Sequence, residues 1–297
     1  MLSEPVPHFV YRLDISSFYE HVDKHKILEK INNNSIVSYS TKKIVTNFFH
    51  QNNLPASKGL PRGIGLSSTL AELYLEDFDS ELNKNGTIYY HCRYVDDIII
   101  FTFERIPDYI DYFQNLLPKP LQLNSEKCDE FVIDGEKEKN HNLDFLGYRF
   151  VASNKCIDKS RKVAIEVSHK KINKIKKRII LALKDFCRNG NSSLLDKRIK
   201  YLTGNIPVHK KQDDNSKLYS GTYYTFLHLT ECEQLKELDI FKNGLIHSSN
   251  GELARKLKLH PTHSYQNIKK YSFYYGHKNK IKYNFTPSEI KEITRIW

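Results

Sequence analysis

Cysteine is scarce and unorganised in this chain. The five residues, Cys92, Cys128, Cys156, Cys187 and Cys232, are odd in number and form no Cys-x-x-Cys pair or Cys/His metal spacing. That excludes a disulfide scaffold and a zinc module and points to reduced thiols. Long apolar runs are also missing. None approaches the ~18 residues of a membrane span, and the opening MLSEPVPHFV does not have the shape of a signal peptide. The expectation is a cytoplasmic protein without a membrane partner. A glycine-rich turn at Gly59–Gly65 is not followed by Gly-Lys-Ser/Thr, so it is no Walker A loop. No His-Asn-His or zinc-type endonuclease pattern occurs, and no repeat at periods of 20–50 residues is visible.

What the chain does have is charge, unevenly spread. Residues 1–150 hold 16 Lys+Arg against 22 Asp+Glu, net −6; residues 151–297 hold 30 against 13, net +17, and the two sum to the formal +11. An acidic half joined to a basic half suits a metal-binding front and a polyanion-holding back, and equally suits a well-solvated lysine-rich surface. Hydrophobic residues make up 39% of the 297, with a mean hydropathy of −0.57, enough for a substantial core in a soluble chain.

The most informative stretch is Ile88–Phe103. Alternation over Ile88, Tyr90 and Cys92, then the apolar run Ile98–Phe101, predicts two strands in a tight hairpin with Asp96–Asp97 at or beside the turn. Adjacent carboxylates on so apolar an element are costly to bury as bare charges, and a divalent cation would resolve the conflict. Phe9–Leu13 predicts a strand running into Asp14. Ser17-x-x-Glu20 predicts a capping box opening a helix to about Ile31. Asp14 thus sits where a strand ends, held by a sheet yet reachable.

Further helices are expected at Ser40–Phe49, Leu66–Leu82 and Asp108–Leu117, and a strand-to-loop element over Leu121–Lys127. Asp134-Gly135 marks a turn. Leu143–Val151 and Lys162–Val167 read as two strands paired around a Ser153-Asn154-Lys155 turn. His169–Phe186 is an amphipathic helix, with Ile172, Ile175, Ile179, Leu183 and Phe186 on one stripe and Lys170, Lys171, Lys174, Lys176, Lys177 and Arg178 on the others. Helices at Ser193–Leu202, Thr230–Asp239 and Pro287–Arg295 complete the reading. Three carboxylates at strand ends of one small sheet meet the requirement of a two-metal phosphoryl-transfer site, where hard oxygen ligands hold two Mg²⁺ ions.

These segments, in their order, resemble the palm motifs of reverse transcriptases. RLDISSFYEHV resembles motif A, implying Asp14 as a metal ligand, Ile15 beside the nucleotide and Tyr19 at the position that rejects a 2′-hydroxyl. GLPRGIGLSSTLAELYLEDFD resembles motif B, whose Pro61, Arg62 and Gly63 would line the nucleotide pocket; the family commonly has Gln where Arg62 stands. RYVDDIIIF resembles motif C, implying Asp96 and Asp97 as metal ligands. LQLNSEKC resembles motif D, with Lys127 as proton donor to pyrophosphate. LDFLGYRF resembles motif E, the primer grip, through Phe145, Leu146, Gly147 and Tyr148.

The resemblance covers residues ~9–150 and implies an α+β fold. Its parts would be a right-hand palm over 1–151 (a ferredoxin- or RRM-like antiparallel sheet with helices on one face), a connector and basic thumb over 152–202, and a basic, aromatic-rich extension over 203–297. The thumb residues Lys170, Lys171, Lys174, Lys177 and Arg178 would hold nucleic acid. Two Mg²⁺ ions, with Mn²⁺ as substitute, an RNA template, a DNA primer or product and dNTPs are implied. The family places long fingers before motif A, which here begins close to Met1. The expectation is a chain largely without fingers, or one whose fingers come from another chain. The tail RIKYLTGNIPVHKK resembles bacterial antiphage-defence reverse transcriptases, most like the first subunit of the type 3 systems, implying a non-coding RNA and a second polymerase subunit as partners. The alternative reading is a catalytically incomplete palm–thumb fragment or an RNA-binding subunit.

Overall fold

The computed structural model describes residues 1–50, 59–134, 140–157, 160–208 and 218–297. The chain divides into two compact units, Met1–Lys139 with Ser153–Lys162, and Asn140–Ala152 with Val163–Trp297. Among the described residues, no helix is long and apolar enough to cross a membrane.

The first unit contains β1 (His8–Asp14), α1 (Phe18–His21), α2 (Lys24–Asn33), α3 (Tyr39–His50), α4 (Gly65–Lys84), β2 (Ile88–Tyr94), β3 (Asp97–Thr102), α5 (Tyr109–Leu116) and β4 (Asp129–Ile133). The four strands form one antiparallel sheet in the order β2-β3-β1-β4, the arrangement of a βαββαβ unit. Strand periodicity sends Tyr11 and Leu13 of β1 and Ile98 and Ile100 of β3 into one core with the helices. Helix α4 meets them with Leu70, Tyr74, Phe78 and Leu82, spaced by four residues along a single stripe, and α5 adds Phe113. His8, Val10, Arg12 and Asp14 therefore lie on the opposite face of β1.

Two expectations change here. The helix expected from Ser17 to Ile31 is two helices. Ser17 is in the left-handed region (φ 45°) and makes no capping bond, while Asp23 caps α2 by accepting from the His25 N–H at 2.9 Å. Strand β4 was not expected, because DEFVI opens on two acidic residues; pairing with β1 makes it the fourth strand. Gly59 has φ +71° and a Cβ there would lie 2.1 Å from the Tyr19 carbonyl, which accepts from Leu60 N–H at 2.7 Å. Only glycine lets the loop before α4 approach the chain after β1 so closely.

In the second unit, β5 (His141–Phe145) and the start of β6 (Tyr148–Ile157) form a hairpin whose central residues are Leu146 (φ 50°) and Gly147 (φ 85°). The single strand expected over Leu143–Val151 is thus interrupted by a tight turn with two positive φ values, the kind that suits strand twist. An apolar Leu at the turn concealed it. The turn expected at Ser153-Asn154-Lys155 is absent too. Those residues continue β6, and β7 (Ser160–Val167) is its neighbour in the order β5-β6-β7. The turn expected at Asp134-Gly135 reaches outside the described residues.

Helix α6 (His169–Asn189) buries Ile172, Ile179, Leu183 and Phe186 and ends at Gly190, whose φ of 66° lets its N–H reach the Phe186 carbonyl at 2.8 Å. It is followed by α7 (Ser192–Thr203), β8 (Asn205–Pro207), β9 (Tyr219–Gly221), α8 (Thr222–Thr225), α9 (Glu233–His247), α10 (Glu252–Leu257), α11 (His263–Gln266), α12 (Phe273–Lys278) and α13 (Pro287–Thr294). The helix expected at Thr230–Asp239 begins at Glu233 and runs on to His247. The capping box proves to be at α13, where Thr286 and Glu289 exchange both bonds ahead of Pro287.

Candidate active site

The register of β1 against β3 sets Asp14 directly across from Asp97 and Arg12 across from Ile99. Residues opposite each other share a face, so both carboxylates stand on the side of the sheet away from the helical core. Asp97 opens β3 and Tyr94 closes β2, which leaves Val95-Asp96 as a two-residue loop, with Val95 at φ 60°. The Asp96 carbonyl accepts from Ile15 N–H at 3.2 Å, which ties the loop to the end of β1. Asp14 is buried, at 6% exposure. Its backbone carbonyl accepts from Asn124 N–H at 2.8 Å, and the short turn that follows carries Lys127 back, so that its ammonium donates to Asp14 Oδ1 at 2.9 Å.

The local charges conflict. Burial pushes the Asp97 carboxyl above its ordinary value, Asp96 and Asp14 push it further, and Arg12 and Lys127 pull it back. The ion pair with Asp14 in turn raises Lys127, keeping it protonated. Arg12 also lies 3.8 Å from Asp129. The donor set is all carboxylate oxygen, the chemistry of Mg²⁺ rather than of zinc, and a cation would relieve the like charges around Asp97. As the side chains stand, no three His, Cys, Asp or Glu groups among the described residues gather closely enough to hold a metal, and Lys127 occupies one Asp14 oxygen.

The neighbouring expected residues fall into place unevenly. Ile15 is a core residue at 1% exposure, leaving only its backbone at the site. The Tyr19 ring is half-buried, and its hydroxyl is pushed up by desolvation and then by Asp96. The Arg62 guanidinium lies 5.6 Å from the Tyr19 ring centroid and donates to both Glu20 oxygens, at 2.7 and 3.0 Å. Pro61 is buried and Gly63 has φ +82° with open space around it. Arg62 is therefore fixed by Glu20, one residue from Tyr19.

Phe145–Tyr148 and the cationic face of α6 belong to the second unit. Tyr148 is anchored there by its hydroxyl, which donates to the Thr225 carbonyl at 3.0 Å. Of the expected basic residues, Lys171, Lys174 and Arg178 line one recess with Ser220, Thr225 and Phe226.

One residue escaped the sequence reading. Arg93 has a side chain only 5% exposed and donates to Asp79 at 2.9 Å and, through a second nitrogen, to Glu72 at 2.7 Å, both on α4. Its Nη1 also donates to the Val95 carbonyl at 3.3 Å, inside the acidic turn. Burial opposes this charge, but the bonds to Asp79 and Glu72 outweigh it. The available signal was a lone arginine in an apolar strand, which demands buried partners.

With this geometry in place, residues 4–150 match the family model for "Reverse transcriptase (RNA-dependent DNA polymerase)". The first half of the chain thus carries a reverse transcriptase domain. No curated protein matches the chain. Among solved structures it is similar to apo telomerase from Candida tropicalis truncated from its C-terminal domain, with 16% identity and a TM-score of 0.36. That similarity covers 54% of this chain and 36% of the telomerase chain, so this chain spans about a third of the structure it matches.

Proposed function

We propose that the first unit is the catalytic body of an RNA-templated DNA polymerase. The observation that carries the reading is the strand register, which sets Asp14 across from Asp97 on the open face of a βαββαβ sheet, with Asp96 in the adjoining turn, within a reverse transcriptase domain. Asp14, Asp96 and Asp97 would hold two Mg²⁺ ions, or Mn²⁺ in their place; when bound, these supply charge neutralisation at the triphosphate and activation of the primer 3′-hydroxyl.

The chain's own residues account for the remaining roles. Lys127 is a protonated amine 2.9 Å from Asp14, suited to give a proton to departing pyrophosphate. The Tyr19 ring, flanked by Arg62, forms a wall against a 2′-hydroxyl, and Arg62, pinned by Glu20, takes the place of the usual Gln. Pro61 and Gly63 line the nucleotide side and Ile15 supplies backbone. In this reading Phe145–Tyr148 form the primer grip, and Lys170, Lys171, Lys174, Lys177 and Arg178 hold the nucleic-acid backbone by charge. The tail resemblance extends the proposal to bacterial antiphage defence, with a non-coding RNA and a second polymerase subunit as partners.

The test is primer extension on an RNA template with dNTPs and Mg²⁺, by the chain alone and with candidate partner subunits. DNA synthesis is expected. Its absence under every combination would refute the catalytic reading and leave an RNA-binding subunit.

A further inference from the structure

The recess on the second unit is about 270 Å³, close to the lower end of small-molecule sites, roughly 300 Å³. Lys171, Lys174 and Arg178 stand at i, i+3 and i+7 of α6, so all three project from one helical face. Among the described residues no carboxylate pairs with any of them, and none lines the recess. Two of the cations are held from behind. The aliphatic stem of Lys171 lies over Gly147, where an added Cβ would come within 2.8 Å of Lys171 Cε. The Arg178 guanidinium lies 5.2 Å from the centre of the Trp297 ring. Ser220 and Thr225 add hydroxyls, and Tyr201 and Phe226 add aromatic surface.

Three converging, uncompensated cations suit more negative charge than one phosphodiester carries. A phosphomonoester holds about −1.5 to −2 near neutral pH and offers three strong acceptor oxygens. Aromatic rings beside it suit a base or ribose. We infer that this recess binds a nucleoside 5′-phosphate, either as the phosphorylated 5′ end of a nucleic-acid strand or as a free nucleotide. The inference deepens the polymerase reading and rests on it for the strand as source. It separates Lys171, Lys174 and Arg178, which recognise an end, from Lys170 and Lys177, which do not line the recess and act on any backbone phosphate.

The test measures binding of the full-length chain to a 3′-labelled single-stranded oligonucleotide bearing either a 5′-phosphate or a 5′-hydroxyl, by fluorescence anisotropy. The phosphorylated strand should bind about tenfold tighter, the worth of one charge-assisted hydrogen bond. K174Q should abolish that preference, with R178K weakening it, while K177Q should lower affinity for both strands and keep the preference. Competition by unlabelled AMP supports the site with a free nucleotide as its source. Equal affinity for the two strands without AMP competition would overturn the proposal, as would a preference that survives K174Q. D97N should lose DNA synthesis yet retain the preference; a wild-type chain that shows the preference but makes no DNA in any partner combination refutes the polymerase reading alone.

Discussion

Replacing Asn205 with alanine should loosen the second unit more than any exposed change nearby. Asn205 is fully buried, at 0% exposure. Its Nδ2 donates to the carbonyls of Gly276 (3.2 Å) and Ile281 (3.0 Å), and its Oδ1 accepts from Tyr223 N–H at 2.9 Å. The backbone around it is packed so tightly that a Cβ on Gly276 would lie 1.7 Å from the Thr203 carbonyl, and one on Gly221 2.3 Å from the Gly204 carbonyl. Three hydrogen bonds at ~1 kcal/mol each, plus a small void, give a loss of about 3–4 kcal/mol. At roughly 2–4 °C per kcal/mol for a unit of this size, the midpoint should fall by about 6–16 °C. Thermal unfolding by circular dichroism, checked against the urea midpoint, measures it. Asn205→Asp should be worse, since a buried carboxylate would face two carbonyls. A fall below about 2 °C for Asn205→Ala would refute the idea that this side chain ties the Leu202–Asn205 segment to α12 and α8.

Arg93→Met should reduce stability by about 1–3 kcal/mol, less than a fully buried pair because Glu72 and Asp79 can be solvated. It should also lower the maximal rate of DNA synthesis, through loss of the bond to the Val95 carbonyl; wild-type rate and urea midpoint together would show that Arg93 does not hold the turn. Lys242 is fully buried and donates to the Ile268 carbonyl at 3.2 Å and to that of Tyr271, with Asp239 at 3.9 Å, and burial lowers its pKa to about 8. Between pH 8 and 10 the unfolded chain holds this proton more than the folded one. Stability should therefore rise with pH there by about 2 kcal/mol relative to Lys242→Met, and parallel stability–pH curves for the two proteins would refute it. Tyr19→Ala should shift selection toward ribonucleotides by about tenfold or more, measured as the ratio of kcat/KM for dNTP and rNTP; an unchanged ratio removes Tyr19 as the gate.

Local pattern revealed the elements whose residues carry their own signal. The apolar run Ile98–Phe101 beside a carboxylate pair, the i+4 ladder of α4 and the stripe of α6 all appear in the structure at nearly the expected places. Elements defined by a partner were harder to see. Strand β4 exists because β1 offers an edge, and its acidic start gives no strand signal. The Leu146-Gly147 turn has an apolar residue at positive φ, where asparagine or aspartate would have announced it. At the site, the nearness of Asp14 to Asp96–Asp97 was readable from strand ends. The Lys127 contact with Asp14 depends on a turn after Asn124, and the Arg93 bonds depend on the α4 face opposite, so neither could be read from spacing. The Leu202–Asn205 stretch, noticed for its resemblance, is also a packing device in which two glycine backbones and one buried amide are required by contact.

Asp14, Asp96 and Asp97 are proposed to act together as the catalytic centre. Primer extension on an RNA template by Asp97→Asn, run beside the wild-type chain in the same partner combination, tests it most directly. Loss of Mg²⁺-dependent DNA synthesis with an unchanged unfolding midpoint is expected, because Asn keeps the shape of Asp97 and removes a carboxylate that burial and the Asp96 and Asp14 charges already disfavour. Synthesis at the wild-type rate by Asp97→Asn would contradict it.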